Sequence, residues 1–323
     1  MLKHKKGDHC FWIQSPNKRF LFLFFLLFYF FSCQEKKSWH TSSLFFFDTI
    51  CEIQVFCPQS QLESAQKEVS RIFALTEQYF SPGREALSSP VVLDLFHIAL
   101  QFYNDSSGYF DISIGPLSRL WGFSSKSFRV PEDDEIKKAL NFVGLNKIKE
   151  EKGRLHLLPK MGVAWGGIAK GRAVELASQS LIKMGIGKGF INAGGDLFCW
   201  GKNPENSLWK IGIKHPRKKG YLGILSISNM AVSTSGDYQR FFERDGVRYH
   251  HIFNPFTGYP AEGKQSVTVI GPQPIFCDAL STALFAHPRP GDIIKKYPDY
   301  GAILVDSQGN ISIKGKPFFF EPL

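Results

Sequence analysis

Residues 233–262 read STSGDYQRFFERDGVRYHHIFNPFTGYPAE, and the way this stretch turns back on itself decides the fold class. Tyr238, Phe241 and Phe242 carry the aromatic content of a strand, Asp245-Gly246 is a hairpin turn, and Arg248 to Phe253 returns as the partner strand. His250 and His251 fall on opposite sides of that returning strand, so only one can face a site. Asn254-Pro255-Phe256-Thr257-Gly258 closes the run with a second turn. Ahead of the hairpin, Ser233, Thr234, Ser235 and Gly236 offer hydroxyls and a backbone that a polar ligand can approach closely, a surface suited to phosphate or ribose.

Working outward, the elements alternate in a mixed way. Thr49 to Cys57 sets Cys51, Ile53 and Val55 against Glu52 and Gln54, a half-buried strand. Leu62, Ala65, Val69, Ile72 and Phe73 share one helical face, and Val91 to Tyr103 makes a second helix after Pro90. Pro131-Glu132-Asp133-Asp134 opens a third with acids in its first turn. Arg172 to Met184 is a fourth, stopped near Gly185, and one late helix covers Asp278 to Ala286. Hairpin-linked strands beside a few long helices predict an α+β fold with mixed or antiparallel sheets, not a doubly wound one.

The 323 residues, 43% hydrophobic, suffice for a sizeable core in one large domain or two interleaved lobes. The formal charge of +10 suggests nucleic acid until it is located. Lys3, Lys5, Lys6, Lys18 and Arg19 stand near the N-terminus against Asp8, and the remainder forms no dense basic stripe, so no nucleic-acid partner is expected. Lys18-Arg19 precedes twelve apolar or aromatic residues, Phe20 to Phe31, and then Ser32-Cys33. Twelve is short for a membrane span and suits the apolar core of an export signal. Ser32-Cys33 resembles a bacterial lipobox, which predicts a lipoprotein signal over 1–33 cleaved before Cys33, lipid on Cys33, a tether over 34–47 and a domain over 48–323; an uncleaved membrane anchor is the alternative reading. The globular part is then held at a membrane surface on the periplasmic side. Cys51, Cys57, Cys199 and Cys277 form no CxxC pair, and no zinc site or required disulfide is expected.

Three clusters carry chemical content. Gly166-Gly167-Ile168-Ala169-Lys170-Gly171 enters a helix with backbone donors and one lysine, a phosphate-binding pattern without the P-loop spacing. Ile191-Asn192-Ala193-Gly194-Gly195-Asp196 ends a strand in a glycine pair, which marks either close ligand approach or an ordinary tight turn. Asp278-Ala279-Leu280-Ser281-Thr282 puts a carboxylate and a hydroxyl on one helical face. With a backbone carbonyl and water these two oxygens could hold Mg²⁺; a capping Asp with a packed Thr reads equally well.

GGIAKG, INAGGD, TSGDY followed by HHIFNPFTGYP, and DALST, in this order and preceded by Gly108-Tyr109-Phe110-Asp111-Ile112-Ser113-Ile114-Gly115-Pro116-Leu117, resemble the FAD:protein FMN transferase (ApbE-like) family. The resemblance runs from about Thr49 to the C-terminus. It implies a T-fold-related architecture and Mg²⁺-dependent transfer of the FMN half of FAD to a Thr or Ser hydroxyl of an exported acceptor protein, with AMP released. By the same resemblance Asp278, Thr282 and the Gly167 carbonyl hold the metal, and His251 and Asp278 are catalytic. Flavin-nucleotide contacts are implied for Tyr109, Phe110, Asp111, Lys170, Gly194, Gly195, Asp196, Thr234, Ser235, Gly236, His251 and Ile252. Hydrolysis of FAD to FMN and AMP, or flavin binding without catalysis, would use the same motifs. The chain departs from the family pattern at Ala164, Asn254 and Phe256, and in the short run from Ser81 to Pro90.

Overall fold

The computed structural model describes residues 35–79 and 87–323. The segment expected as an export signal, with Cys33, and the start of the shortened run after Ser81 lie outside those residues. The chain divides into two compact units, 1–37 and 38–323, and the account below concerns the second, together with Lys37 where the first strand begins.

Eight strands build the principal sheet: β1 (Lys37–Phe46), β2 (Thr49–Pro58), β5 (Gly189–Ala193), β6 (Asp196–Trp200), β9 (Met230–Gly236), β12 (Lys264–Gly271), β13 (Gly301–Asp306) and β14 (Ile311–Gly315), in that spatial order. Every pairing from β2 to β14 is antiparallel. The stretch 34–47, expected as a tether, thus holds an edge strand of the sheet. A three-stranded sheet joins β7 (Trp209–Lys214), β8 (Tyr221–Ile227) and β15 (Phe320–Pro322), and two separate hairpins pair β3 (Lys149–Glu151) with β4 (Arg154–His156) and β10 (Phe241–Arg244) with β11 (Val247–His250). The helices are α1 (Gln59–Gln78), α2 (Pro90–Asp105), α3 (Gly115–Leu120), α4 (Asp133–Leu140), α5 (Ala169–Lys183), α6 (Pro274–Ala286) and α7 (Pro290–Ile294). Together these elements make the α+β class read from the sequence.

Period-two alternation assigns each face of the sheet. Ala231, Val267, Val269, Ala302 and Leu304 point to the helical side and pack with α6, while Val232, Ile270, Ile303 and Val305 point the other way and meet Ile211, Ile213 and Leu225 of the small sheet. Farther along, Cys51, Ile53 and Val55 of β2 lie with Val69 and Phe73 of α1 and Val174 and Ala177 of α5. Fully burying one such side chain stabilises the fold by roughly 1.5–3 kcal/mol. α6 is apolar almost all round because the sheet lies on one side and α2 on another, where Phe276 meets Phe102 at 5.1 Å.

The hairpin of 233–262 is present with changed limits. Ser233 to Gly236 are the end of β9, Tyr238 lies between strands, and β10 and β11 turn at Asp245 (φ 51°) and Gly246 (φ 75°). Both central residues lie in the left-handed region that a two-residue hairpin requires. α5 begins at Ala169, three residues earlier than the apolar pattern suggested, and α6 at Pro274, so Asp278 sits in the helix's second turn. Proline at the first position lacks only an N–H that would be unpaired there anyway. The cysteines at 51, 57, 199 and 277 are buried, and no disulfide joins them.

Candidate active site

The sheet opens beside β9. β6 pairs with it only from Leu197 to Cys199, against Val232 to Met230, so Ser233–Gly236 run past that pairing while still bonded to β12. The β5–β6 turn faces this opening with Gly194 at φ 64° and Gly195 at φ 103°, a conformation other residues rarely adopt. A cleft of about 1730 Å³ extends from the opening. Gly166, Gly167, Lys170, Thr234, Ser235, His251, Ile252, Asp278 and Thr282 line it, with Ile211–Lys214 of β7 and the 154–164 segment as further walls.

One corner of the cleft concentrates oxygen ligands. Asp278 is 3% exposed, and its Oδ2 accepts the Gly171 N–H at 2.8 Å. Thr282, one turn on, exchanges a hydrogen bond with Ser235 at 3.1 Å between hydroxyl oxygens. A Cβ on residue 167 would come within 3.0 Å of Thr282 Oγ1, so glycine lets that backbone reach the hydroxyl. Ser281 adds a hydroxyl 2.8 Å from Ser235 Oγ and donates to the Asp278 carbonyl at 2.9 Å. Among the described residues no group of three His, Cys, Asp or Glu side chains gathers. The Asp278 carboxylate and the Thr282 hydroxyl are hard oxygen donors, which fit a magnesium ion that keeps several waters and fit zinc poorly.

The charges around that corner are coupled. Lys170 Nζ pairs directly with Asp196 Oδ2 and lies 4.0 Å from Asp278 Oδ2. Burial alone would lower its pKa, but the carboxylates of Asp196 and Asp278 outweigh that effect and hold the ammonium above its ordinary range. Burial, and then the charge of Asp196, raise the Asp278 carboxyl well above the usual carboxylate range, opposed by Lys170 and the Gly171 N–H. A carboxylate in that state gains from a bound cation. Ser233 donates to Asp196 Oδ1, completing a buried set that fixes Lys170.

The paired histidines separate by role. His250 is 5% exposed; its Nε2–H donates to the Ala261 carbonyl at 2.9 Å and its Nδ1 accepts from Ile252 N–H at 3.3 Å, so both nitrogens are engaged. His251 lines the cleft. Its Nδ1 lies 3.1 Å from the Arg240 carbonyl, which can only accept, so the proton sits on Nδ1 and Nε2 keeps its lone pair. Burial, then the Arg240 charge, push its pKa down to about 3, leaving it neutral at physiological pH.

Not every expected contact reaches the cleft. Phe110 is 2% exposed and packs on Phe102 at 5.8 Å, a core residue. Asp111 lines the cleft, yet its carboxylate accepts from Ser113 N–H at 2.7 Å and Leu145 N–H at 3.2 Å, so it braces a turn. Asp196 and Gly236 are buried and absent from the lining; Asp196 acts on the cleft through Lys170. Tyr109 does line it, between Phe256 (4.8 Å) and His287 (4.5 Å). The sequence reading missed Ser281, Gln239, Arg240 and the β7 wall. The "SGDYQR" run held a signal for Arg240, a lone cation beside the polar turn, whereas β7 alternates like any other half-buried strand.

The model of the ApbE family matches residues 47–304. A FAD:protein FMN transferase of Treponema pallidum is 29% identical over 80% of this chain and 82% of its own length. One from Vibrio cholerae is 33% identical over 58% of each chain, so the present chain spans little more than half of that relative. Among solved structures, the ApbE protein of Thermotoga maritima superposes with a TM-score of 0.80 at 30% identity, covering 86% of this chain and 97% of that one. The flavin transferase ApbE of Vibrio cholerae, at 24% identity, shares the fold with a TM-score of 0.77 over 88% of this chain and all of its own. With the family model matching residues 47–304, most of the chain, this protein belongs to the ApbE family.

Proposed function

We propose that the protein transfers FMN from FAD to a threonine or serine hydroxyl of an acceptor protein and releases AMP. The observation that carries this is the convergence on one cleft of Gly167, Asp278 and Thr282 with His251, whose Nε2 is free to accept a proton. Gly167, Asp278 and Thr282 would hold magnesium, which when bound would neutralise charge on the anhydride and fix its geometry. Gly194 and Gly195 let the dinucleotide approach backbone closely, and the hydroxyl ladder of Thr234 and Ser235 orients it. The incoming hydroxyl loses its proton to His251 Nε2 as its oxygen bonds to the flavin-side phosphorus. The bond from that phosphorus to the bridging oxygen breaks, AMP leaves with that oxygen, and the proton passes on to solvent.

A membrane location through lipid on Cys33 completes the proposal, and Cys33→Ser is expected to release the protein from the membrane fraction. The activity is tested by incubating the protein with FAD, Mg²⁺ and a threonine-bearing peptide, then reading flavin fluorescence on the peptide after denaturing separation. Fluorescent peptide that disappears with a chelator supports transfer. FMN formed without labelled peptide indicates hydrolysis, and neither product indicates binding alone.

A further inference from the structure

Lys170 is the cation that the sequence offers to the substrate's anhydride, but its charge is already committed. Its ammonium is paired with Asp196 and flanked by Asp278 at 4.0 Å, leaving the three groups together with net negative charge. A dinucleotide diphosphate brings two more negative charges to the same corner. A divalent cation offsets part of this, and a second, uncommitted positive group is still needed where charge builds during displacement.

Arg240 meets that need. It lines the cleft and is exposed, and its guanidinium makes no ion pair among the described residues. Its backbone carbonyl accepts both the His251 N–H at 3.2 Å and the His251 Nδ1–H at 3.1 Å, so the residue is joined rigidly to the proposed base. Its charge is felt at both His251 and Lys170. Other exposed cleft cations are engaged: Lys214 rides over the Tyr238 ring at 5.5 Å, Lys160 over Phe142 at 5.6 Å, Arg119 donates to the Lys160 carbonyl at 3.1 Å, and Arg154 on the β3–β4 hairpin is partnered as well. Lys126 ends the 121–126 turn.

We propose that Arg240 is a catalytic residue whose guanidinium binds the non-bridging oxygens of the flavin-side phosphate during attack. The planar fork suits two phosphoryl oxygens at once, which a lysine in the same place cannot match. The inference rests on the transfer reading above.

The test compares full-length wild type with Arg240→Gln and Arg240→Lys, measuring kcat for Mg²⁺-dependent FMN transfer to the threonine peptide and FAD affinity by flavin fluorescence. Arg240→Gln is expected to lower kcat about 10²-fold, with melting unchanged because His251 is held by the backbone carbonyl. Arg240→Lys, and millimolar guanidinium added to Arg240→Gln, are expected to recover part of that loss. A kcat within threefold of wild type in Arg240→Gln, or a loss that neither lysine nor free guanidinium repairs, overturns the assignment. Wild type that turns over no FAD with Mg²⁺ overturns the transfer reading first.

Discussion

At Gly171 α5 lies directly against α6, and Gly171→Ala probes how that approach holds the metal corner. A Cβ at this position would stand 2.6 Å from Asp278 Cβ and 2.6 Å from the Pro274 carbonyl oxygen, with Ile275 Cα at 2.9 Å. Two of these three neighbours are backbone, so no side chain can swing aside. The helices must part until the 2.6 Å contacts approach 3.4 Å, where ordinary contact begins. The Gly171 N–H to Asp278 bond, now 2.8 Å, then stretches beyond hydrogen-bonding range. Overpacking costs about 1–3 kcal/mol, and alanine in a helix returns about 1 kcal/mol over glycine, so a net loss of up to about 2 kcal/mol is expected. Metal binding suffers more directly, because Asp278 loses its fixed orientation. A displacement worth about 1.4 kcal/mol raises the Mg²⁺ concentration for half-maximal turnover about tenfold. Urea denaturation gives the first quantity and a Mg²⁺ titration of FAD turnover the second. Gly291→Ala, where nothing lies within 4 Å of the new Cβ, serves as the control and should be neutral or slightly stabilising. If Gly171→Ala matches that control in both assays, the close approach does not position Asp278 and the reasoning fails.

Other outcomes follow from the same geometry. His251→Ala should abolish transfer while leaving urea stability near wild type, whereas His250→Ala should cost about 1–3 kcal/mol by leaving the buried Ala261 carbonyl unpaired; equal stability losses would contradict the division of roles. Because burial lowers the folded-state pKa of His250, the unfolded chain binds that proton more readily. Stability should therefore fall as pH drops below the ordinary histidine value of about 6.5, and His250→Gln should show a shallower fall between pH 6.5 and 5 in denaturation at stepped pH. Asp196→Asn removes the partner of a buried ammonium and should destabilise by about 3–5 kcal/mol, seen as an earlier urea midpoint; an unchanged midpoint would show that Asp278 alone satisfies Lys170.

The motifs were legible because their information is local. A glycine pair before a helix, a glycine turn after a strand and an Asp-x-x-x-Thr spacing each name a backbone shape or a shared helical face, and the fold assembles Gly167, Gly194, Asp278 and Thr282 around one cleft. The antiparallel class could be read from Asp245-Gly246 because that dipeptide fixes how two strands meet. What stayed hidden depends on partners far along the chain. Lys170 reads as a free phosphate ligand until Asp196, in another strand, takes its charge. Asp111 and Phe110 sit in a motif beside Tyr109, yet only the tertiary packing shows that one braces a turn and the other fills the core. The 34–47 stretch holds β1 although its N-terminal half is polar and lacks clean alternation, and pairing with β2 makes it a strand.

The sheet is assembled out of chain order, and that sets how the molecule must be built. β2 meets β5 in a register that aligns Cys51 with Ala193 and Val55 with Gly189, partners about 140 residues apart in the chain. Among the described residues, five helices and a hairpin lie between them. Closing so long a loop is entropically costly before any contact rewards it, which places this pairing among the slow steps of folding. Until β5 arrives, one edge of β2 and its row of Cys51, Ile53, Val55 and Cys57 wait uncovered, a surface on which a second unfinished chain can dock. Recovery of the protein from urea is thus a race between a slow intramolecular closure and a concentration-dependent association, and diluting the refolding chain favours the closure.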